Sequence, residues 1–570
     1  MKKILPLIAL AAIVIAGGLF YFYGMNHEQT NPALCVPDDV SFYADQRQLG
    51  QVVEDIKKSP VGQVLVKTDY VKMAQDMAVD ESGIEIIKKG LDKVSEFFNG
   101  PIFKEVLSEN FVLAMFPLDD SALQNPIESV TNRFLLISRP KHNVQLLSLL
   151  AANLGKDIKP SDVSYGGYTV KRFELQNNQA VIVAVVKDLV LIALDEKTIH
   201  DAIDCHDNKK KSLALNANFQ KLEGMYKDPL FFMYFGFESI MNQAVAITSK
   251  LGHEDSDITK ELSGMQAASY GGWTETGAIR DKVVFLVDTA KVDPAMKGFY
   301  AIAPEKNTTL NFAPEHAMAY YWTNSVSLPL YWNLFQTKAK LDKEQMDDVR
   351  TAVKQQLGMD VDEFVGLFDK QSGLLIQNSA DEKKIVPLPD ISVFMHLKDS
   401  KKLNDLVQDQ LKKNGLNVQT ADYKGVSIAS LHDFAQTGLV PAYAIDNQYL
   451  MVATSQEFIR QMVDTMKEGH GLADTPGFKS VSTRLLEENN SVGYLQFGEL
   501  VKLAKGLISW GSSYSAATMT DNGRKNYEIM TDRLVNPLLD SLSATYSDVG
   551  VYSRIMPNQF IGESTMMLKK

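Results

Sequence analysis

The sequence predicts an α+β protein of two tandem repeats, each a mainly antiparallel sheet packed with helices, after an N-terminal transmembrane helix. Three observations carry that reading. Residues 183–204, VAVVKDLVLIALDEKTIHDAID, have an ungapped counterpart in residues 443–464, YAIDNQYLMVATSQEFIRQMVD, at an offset of 260. Ala184 matches Ala444, Ala193 matches Ala453, Ile199 matches Ile459 and Asp204 matches Asp464. The flanking segments recur in the same order, mostly at offsets of 258 to 262. Finally, strands joined by hairpins and interspersed with helices favour antiparallel sheets over a doubly wound parallel one.

Lys2 and Lys3 precede 21 uncharged residues, 4–24. At about 1.5 Å per residue these span a hydrocarbon core of about 30 Å. Ala16-Gly17-Gly18 offers a small-residue cleavage site, but the aromatics at 20–23 continue the apolar run beyond it. An uncleaved anchor is therefore expected, with its lysines cytoplasmic and the rest of the chain outside. The expected organisation is a cytoplasmic start and anchor at 1–24, a polar tether at 25–36, a first repeat at 37–305 and a second at 312–570.

The first repeat opens on Pro37-Asp38-Asp39 and a strand reaching Tyr43; Ala313 to Tyr321 echoes it at the start of the second. Leu49, Val52, Val53 and Ile56 lie at helical spacing, as do Ile87, Leu91, Val94 and Phe98. Strands follow at 111–116 and 133–138. A strand–turn–helix from Phe134 resembles the one from Val393, and Tyr165-Gly166-Gly167 resembles Tyr423-Lys424-Gly425. Next comes the duplicated hairpin, turning at Lys187-Asp188 and Asn447-Gln448, and running into a helix. A Phe219 or Phe478 turn, a strand, a helical region and closing strands complete each repeat.

The composition is globular, with 45% apolar and 22% charged residues. A net charge of −12, with no basic run longer than Lys209–Lys211, excludes a phosphate-binding nucleic-acid partner. The two cysteines, Cys35 and Cys205, are no disulfide framework and read as separate thiols. There is no Gly-x-Ser-x-Gly, phosphate-cradling Gly-x-x-x-x-Gly-Lys, Rossmann fingerprint, His-Glu-x-x-His or Cys-x-x-Cys, so no catalytic residue or cofactor is expected. The best metal candidate is His200 with Asp204, four apart on one helical face, against a plain polar helix end. The acidic run 253–257 lacks the spaced ligands of a calcium loop and reads as solvated.

Two apolar stripes are the stronger interaction candidates. One comprises Ile240, Met241, Ala244, Val245 and Ile247; the other comprises Leu500, Leu503, Ala504, Leu507, Ile508 and Trp510. Each packs on its own sheet in the plain reading, and lines a groove or meets a partner in the functional one.

The Pro-Asp-Asp-Val-Ser-Phe-Tyr opening after an anchor, the apolar strand leading into Leu-x-x-Ala and a helix, and the Phe219 or Phe478 turn resemble a bacterial family of anchored envelope proteins. That family is known only as domain of unknown function three-three-five-two. The resemblance covers residues 34–570 and implies the repeats and an extracytoplasmic location, with no catalytic residues to carry over. The expected protein is thus held in the inner membrane by residues 4–24. It acts as a non-catalytic scaffold or assembly factor for another envelope protein. A carrier of a lipid or apolar peptide is the alternative, and a hydrolase with an unmarked site the third reading.

Overall fold

The computed structural model describes residues 30–100, 103–118, 131–140, 161–174, 180–250, 263–339, 341–379, 388–432, 440–446 and 448–569. The expected anchor and the acidic run 253–257 lie outside them. Among the described residues no helix is long and apolar enough to cross a membrane. The chain divides into two compact units. Met1–Gly62, Tyr70–Thr274 and Asp281–Val292 form the first; Gln63–Asp69, Glu275–Arg280 and Asp293–Lys570 form the second.

The first copy contains β1 (Phe42–Arg47), β2 (Asn110–Met115), β3 (Phe134–Arg139), β4 (Ser161–Tyr165) and β5 (Tyr168–Glu174). It continues with β6 (Ala180–Val186), β7 (Leu189–Ala193), β8 (Phe231–Gly236), β9 (Met265–Glu275) and β10 (Ala278–Val287). Their order across the sheet is β10-β9-β8-β1-β2-β3-β7-β6-β5-β4. The second copy contains β11 (Ala319–Thr323), β12 (Phe368–Gln377), β13 (Asp390–Leu397), β14 (Val418–Tyr423) and β15 (Val426–Leu431). After these come β16 (Ala442–Ile445), β17 (Tyr449–Ala453), β18 (Ser491–Gln496), β19 (Tyr546–Met556) and β20 (Gln559–Leu568). Their order is β20-β19-β18-β11-β12-β13-β17-β16-β15-β14, the same order strand for strand. Neighbouring strands with a recorded register pair antiparallel, as expected for α+β.

The duplicated stretch is a hairpin followed by a helix in both copies, and the local reasons match. Lys187 takes a left-handed conformation (φ 54°) in the first hairpin turn; the counterpart turn at Asn447 lies outside the described residues. Asp195 caps the helix Glu196–His206 by accepting from the Thr198 amide at 3.2 Å. Ser455 caps Gln456–Glu468 by accepting from the Phe458 amide at 3.2 Å. Ile199, Ala202 and Ile203 bury one face of the first helix; Phe458, Ile459, Met462 and Val463 bury that of the second.

One expectation needs correction. Residues 30–36, expected within a tether, are folded: Pro32–Cys35 form a 3₁₀ turn capped by Asn31, with Ala33, Cys35 and Val36 buried. The Leu213 amide donates to Val36 O at 2.7 Å, just as the Leu472 amide donates to Ala313 O at 2.9 Å. This extends the equivalence to the 3₁₀ turn Thr309–Phe312 and places Phe312 where the first copy has Cys35. A polar composition hid a segment in which Ala33, Cys35 and Val36 are buried.

Candidate functional site

Strand alternation puts Tyr43, Asp45 and Arg47 of β1 on one face of the first-copy sheet. Register then builds two rows across three strands. Asp45 lies opposite Val112, and Val112 opposite Ile137; Arg47 lies opposite Asn110, and Asn110 opposite Arg139. These rows floor a cavity of about 300 Å³. Leu189, Glu223 at the end of helix Ala217–Glu223, and the backbone of 30–32 form its walls.

The cavity is charged. Arg47 Nε donates to Asp45 Oδ2 at 3.0 Å. Arg139 Nε donates to Asp188 Oδ2 at 2.8 Å, and its Nη2 donates to Thr30 O at 2.5 Å. The Thr30 amide returns to both Asp188 oxygens at 3.2 and 3.3 Å, so one ion pair fastens the start of the folded chain to the cavity rim. Burial raises the Asp45 carboxyl above its ordinary value despite the Arg47 guanidinium. Burial raises Glu223 in the same way, against the pull of Arg47 and with the help of Asp45. Glu223 has no side-chain partner among the described residues.

A pH test follows. Glu223 holds its proton more tightly folded than unfolded, so its ionisation opposes folding above its folded value and is silent well below the unfolded one. Glu223→Gln should therefore raise the thermal unfolding temperature at pH 8 and leave it nearly unchanged at pH 4. A lowered temperature at pH 8 would mean that the carboxylate is paired.

The second copy fills the same place. Trp322 stands where Asp45 does and lies opposite Gly373, which lies opposite Phe394. Trp322 and Phe394 are fully buried. A Cβ on Gly373 would come within 2.1 Å of the Phe394 ring and 2.3 Å of Tyr321 O, so only glycine admits that ring. Tyr449 replaces Leu189. Its ring meets Phe312 edge-on at 5.2 Å, and Phe312 meets Phe394 at 5.0 Å. Thus Asp45, Ile137, Leu189 and Cys35 of the first copy correspond to Trp322, Phe394, Tyr449 and Phe312 of the second. Smaller side chains leave the first copy a hole where the second has an aromatic plug.

His200 and Asp204, singled out as metal candidates, hold a tyrosine. The Tyr165 ring stacks on His200 at 3.7 Å and 9°, its hydroxyl donates to Asp204 Oδ2 at 2.9 Å, and Lys209 Nζ lies 3.4 Å from Asp204 Oδ1. The second copy repeats the device: the Arg460 guanidinium lies 5.5 Å from the Tyr423 ring centre. Tyr423 donates to Asp464 at 3.0 Å, and Lys424 pairs with the same carboxylate at 2.7 Å. Arg460 stands where the first copy has His200. The substitution keeps the device, since an imidazole and a guanidinium both offer a flat face to a ring. Each clamp ties the β4–β5 or β14–β15 hairpin to its helix. Among the described residues no group of three His, Cys, Asp or Glu is placed to hold a metal.

Ile240 and Met241 are half-buried on helix Phe237–Lys250, and Gln243 on that helix donates to Ser41 at 2.7 Å. Ala244 and Val245 belong to the same helix, beyond its described side chains. Leu503, Leu507 and Trp510 are half-buried on helix Phe497–Thr518, which packs against Asn536–Thr545 and Asp521–Met530. Among the described side chains, neither stripe lines the first-copy cavity. Cys35 and Cys205 are buried and unbridged. Burial raises both thiols, that of Cys205 to about 12.

Reasoning from sequence missed the cavity residues. A signal was present in Asp45 and Arg47, two charges at alternate positions of a strand where the second copy reads Trp322 and Asn324.

A family model described as a protein of unknown function (DUF3352) matches residues 104–386 and 387–522. The chain belongs to this family. The matched segments carry β2, β3, β7 and Glu223 of the cavity, while β1 precedes them. The family's description names no activity. No curated protein matches the chain. Among solved structures, crystal form III of TP0453 is 10% identical with a TM-score of 0.24, covering 47% of this chain and 83% of that one. Crystal form IV is 10% identical with a TM-score of 0.23, covering 45% and 81%.

Proposed function

We propose that this member of the DUF3352 family is an inner-membrane protein, anchored by residues 4–24, whose extracytoplasmic first copy binds a small polar ligand without transforming it. The observation that carries the reading is the matched pair of sites, one open and charged, one plugged by aromatic rings. Charged groups drawn partly out of water cost stability, so a charged hole kept where the same fold supports a dense core argues for use. Arg47 and Arg139 already sit in fixed ion pairs, an arrangement suited to recognition. Thr30, at the cavity rim, is six residues beyond Gly24. At about 3.3–3.6 Å per residue the site lies within about 20 Å of the end of the anchor.

A scaffold for another envelope protein is the second reading. It draws on Leu328, Tyr331 and Phe335, exposed along one face of the second-copy helix Leu328–Lys338. Native mass spectrometry of the full-length protein, taken from native membranes in mild detergent, separates the two. The binding reading expects a small-molecule adduct that disappears in Ile137→Phe/Leu189→Tyr, the variant carrying the second copy's plug. A protein-sized added mass with no small adduct would replace it by the scaffold. A bare chain would overturn the binding reading.

A further inference from the structure

We propose that the ligand of the first-copy cavity is a small zwitterion: a phosphate or carboxylate with an ammonium group a few bonds away. This rests on the binding reading above and deepens it.

The inventory of unused polar groups carries the inference. Arg47 commits only Nε, to Asp45, and Arg139 commits Nε to Asp188 and Nη2 to Thr30 O. Both Nη atoms of Arg47, and Nη1 of Arg139, have no protein partner among the described residues. The two arginines flank Asn110 in one row, two strand spacings apart, or about 9–10 Å between backbones. Guanidinium forks at that separation match one oxyanion held from both sides.

The wall supplies the opposite charge. Arg47 offsets Asp45 and Arg139 offsets Asp188, so Glu223 is the carboxylate left over, and two positive against three negative groups leave the ionised site one charge negative. An anion alone would satisfy the guanidinium N–H groups and deepen that excess. A cation alone would neutralise Glu223 and leave those N–H groups to water. A molecule carrying both ends answers both needs, and a cavity of about 300 Å³ has room for an amino acid or a phosphoethanolamine group. The second copy has none of this set: Asp45, Arg47 and Arg139 correspond to Trp322, Asn324 and His396.

Such a zwitterion exists free in solution as an amino acid and at a membrane surface as an ethanolamine lipid headgroup, and the site lies near enough to the expected anchor to meet either. The test uses the full chain in non-ionic detergent, with calorimetric titration of glycine, O-phosphoethanolamine, inorganic phosphate and ethanolamine. At least one zwitterion should bind about tenfold or more tighter than phosphate or ethanolamine alone. In Glu223→Gln, shown folded by its unfolding temperature, that preference over phosphate should vanish. If neither soluble zwitterion binds, nanodiscs containing ethanolamine lipid should still stabilise the chain over choline-lipid nanodiscs, again only with Glu223 present; this assigns the lipid source. Binding of glycine assigns the free one.

Phosphate binding as tightly as phosphoethanolamine, or a preference unchanged in Glu223→Gln, would overturn the zwitterion. So would the absence of binding in every arm. In each case the binding reading survives if the native adduct is still lost in Ile137→Phe/Leu189→Tyr, and falls with the proposal if no adduct exists.

Discussion

Trp322→Ala is expected to destabilise the second unit by about 3–5 kcal/mol, enough to unfold a unit of ordinary stability at moderate temperature. Trp322 is fully buried, and its indole N–H donates to Gln371 at 3.2 Å. Phe394 sits over Gly373, opposite Trp322 in the sheet, so removing the indole leaves a cavity that a neighbouring backbone fixed by pairing cannot close. Asp45→Ala, at the equivalent place in the first copy, should cost far less, because Asp45 borders space that is already empty. Urea titration of the two variants measures the contrast directly. Equal losses would show that the two places are packed alike.

Arg133→Met should cost the first unit about 3–5 kcal/mol. Arg133 is buried; it donates to Pro117 O at 2.9 Å, Thr198 Oγ1 at 3.0 Å and Asp201 Oδ2 at 3.1 Å, with its guanidinium 5.5 Å from the Phe116 ring centre. Burial alone would raise the Asp201 carboxyl, but hydrogen bonds from Lys210 and Arg133 outweigh it and hold the group below its ordinary value. Asp201 therefore contributes stability above the unfolded carboxylate range, and that contribution is lost as pH falls through its folded value. The gap between wild type and Arg133→Met should be widest near pH 7, begin to narrow below about pH 4, and close as Asp201 takes up its proton at its lowered folded value. A gap independent of pH would assign Arg133 a packing role only. The second copy builds this corner without an arginine, from Gln377, Asp390 and Gln461, with Gln377 Nε2 donating to Gln461 at 2.8 Å.

The repeats were legible because their signals are local. Turn chemistry, N-caps at Asp195 and Ser455, and apolar faces such as Ile199–Ile203 are written within a dozen residues. The amphipathic pattern through Ile87, Leu91 and Val94 likewise marked the helix Glu81–Asn99. The site was not legible because its parts lie far apart in the chain. Asp45, Arg139 and Glu223 meet only through the register of β1, β2 and β3 and the seating of helix Ala217–Glu223. A gap-free offset also hid the comparison that exposes them. The duplicated hairpins align at 260, whereas β1 aligns with β11 at 277, so the hairpin offset carried back to β1 does not bring Asp45 onto Trp322. The His200–Asp204 spacing was noticed, but stacking on Tyr165 is a tertiary contact that spacing cannot show.

The most direct test is a high-resolution crystal structure of the chain from residue 30 onward, read at the row Arg47–Asn110–Arg139. The first copy should show an open cavity, with ordered solvent or ligand density bridging the free guanidinium nitrogens and Glu223, and the second a dry ring cluster around Trp322. Side chains closing over Asp45 and Leu189, with Glu223 turned out to bulk solvent, would contradict the open, charged site.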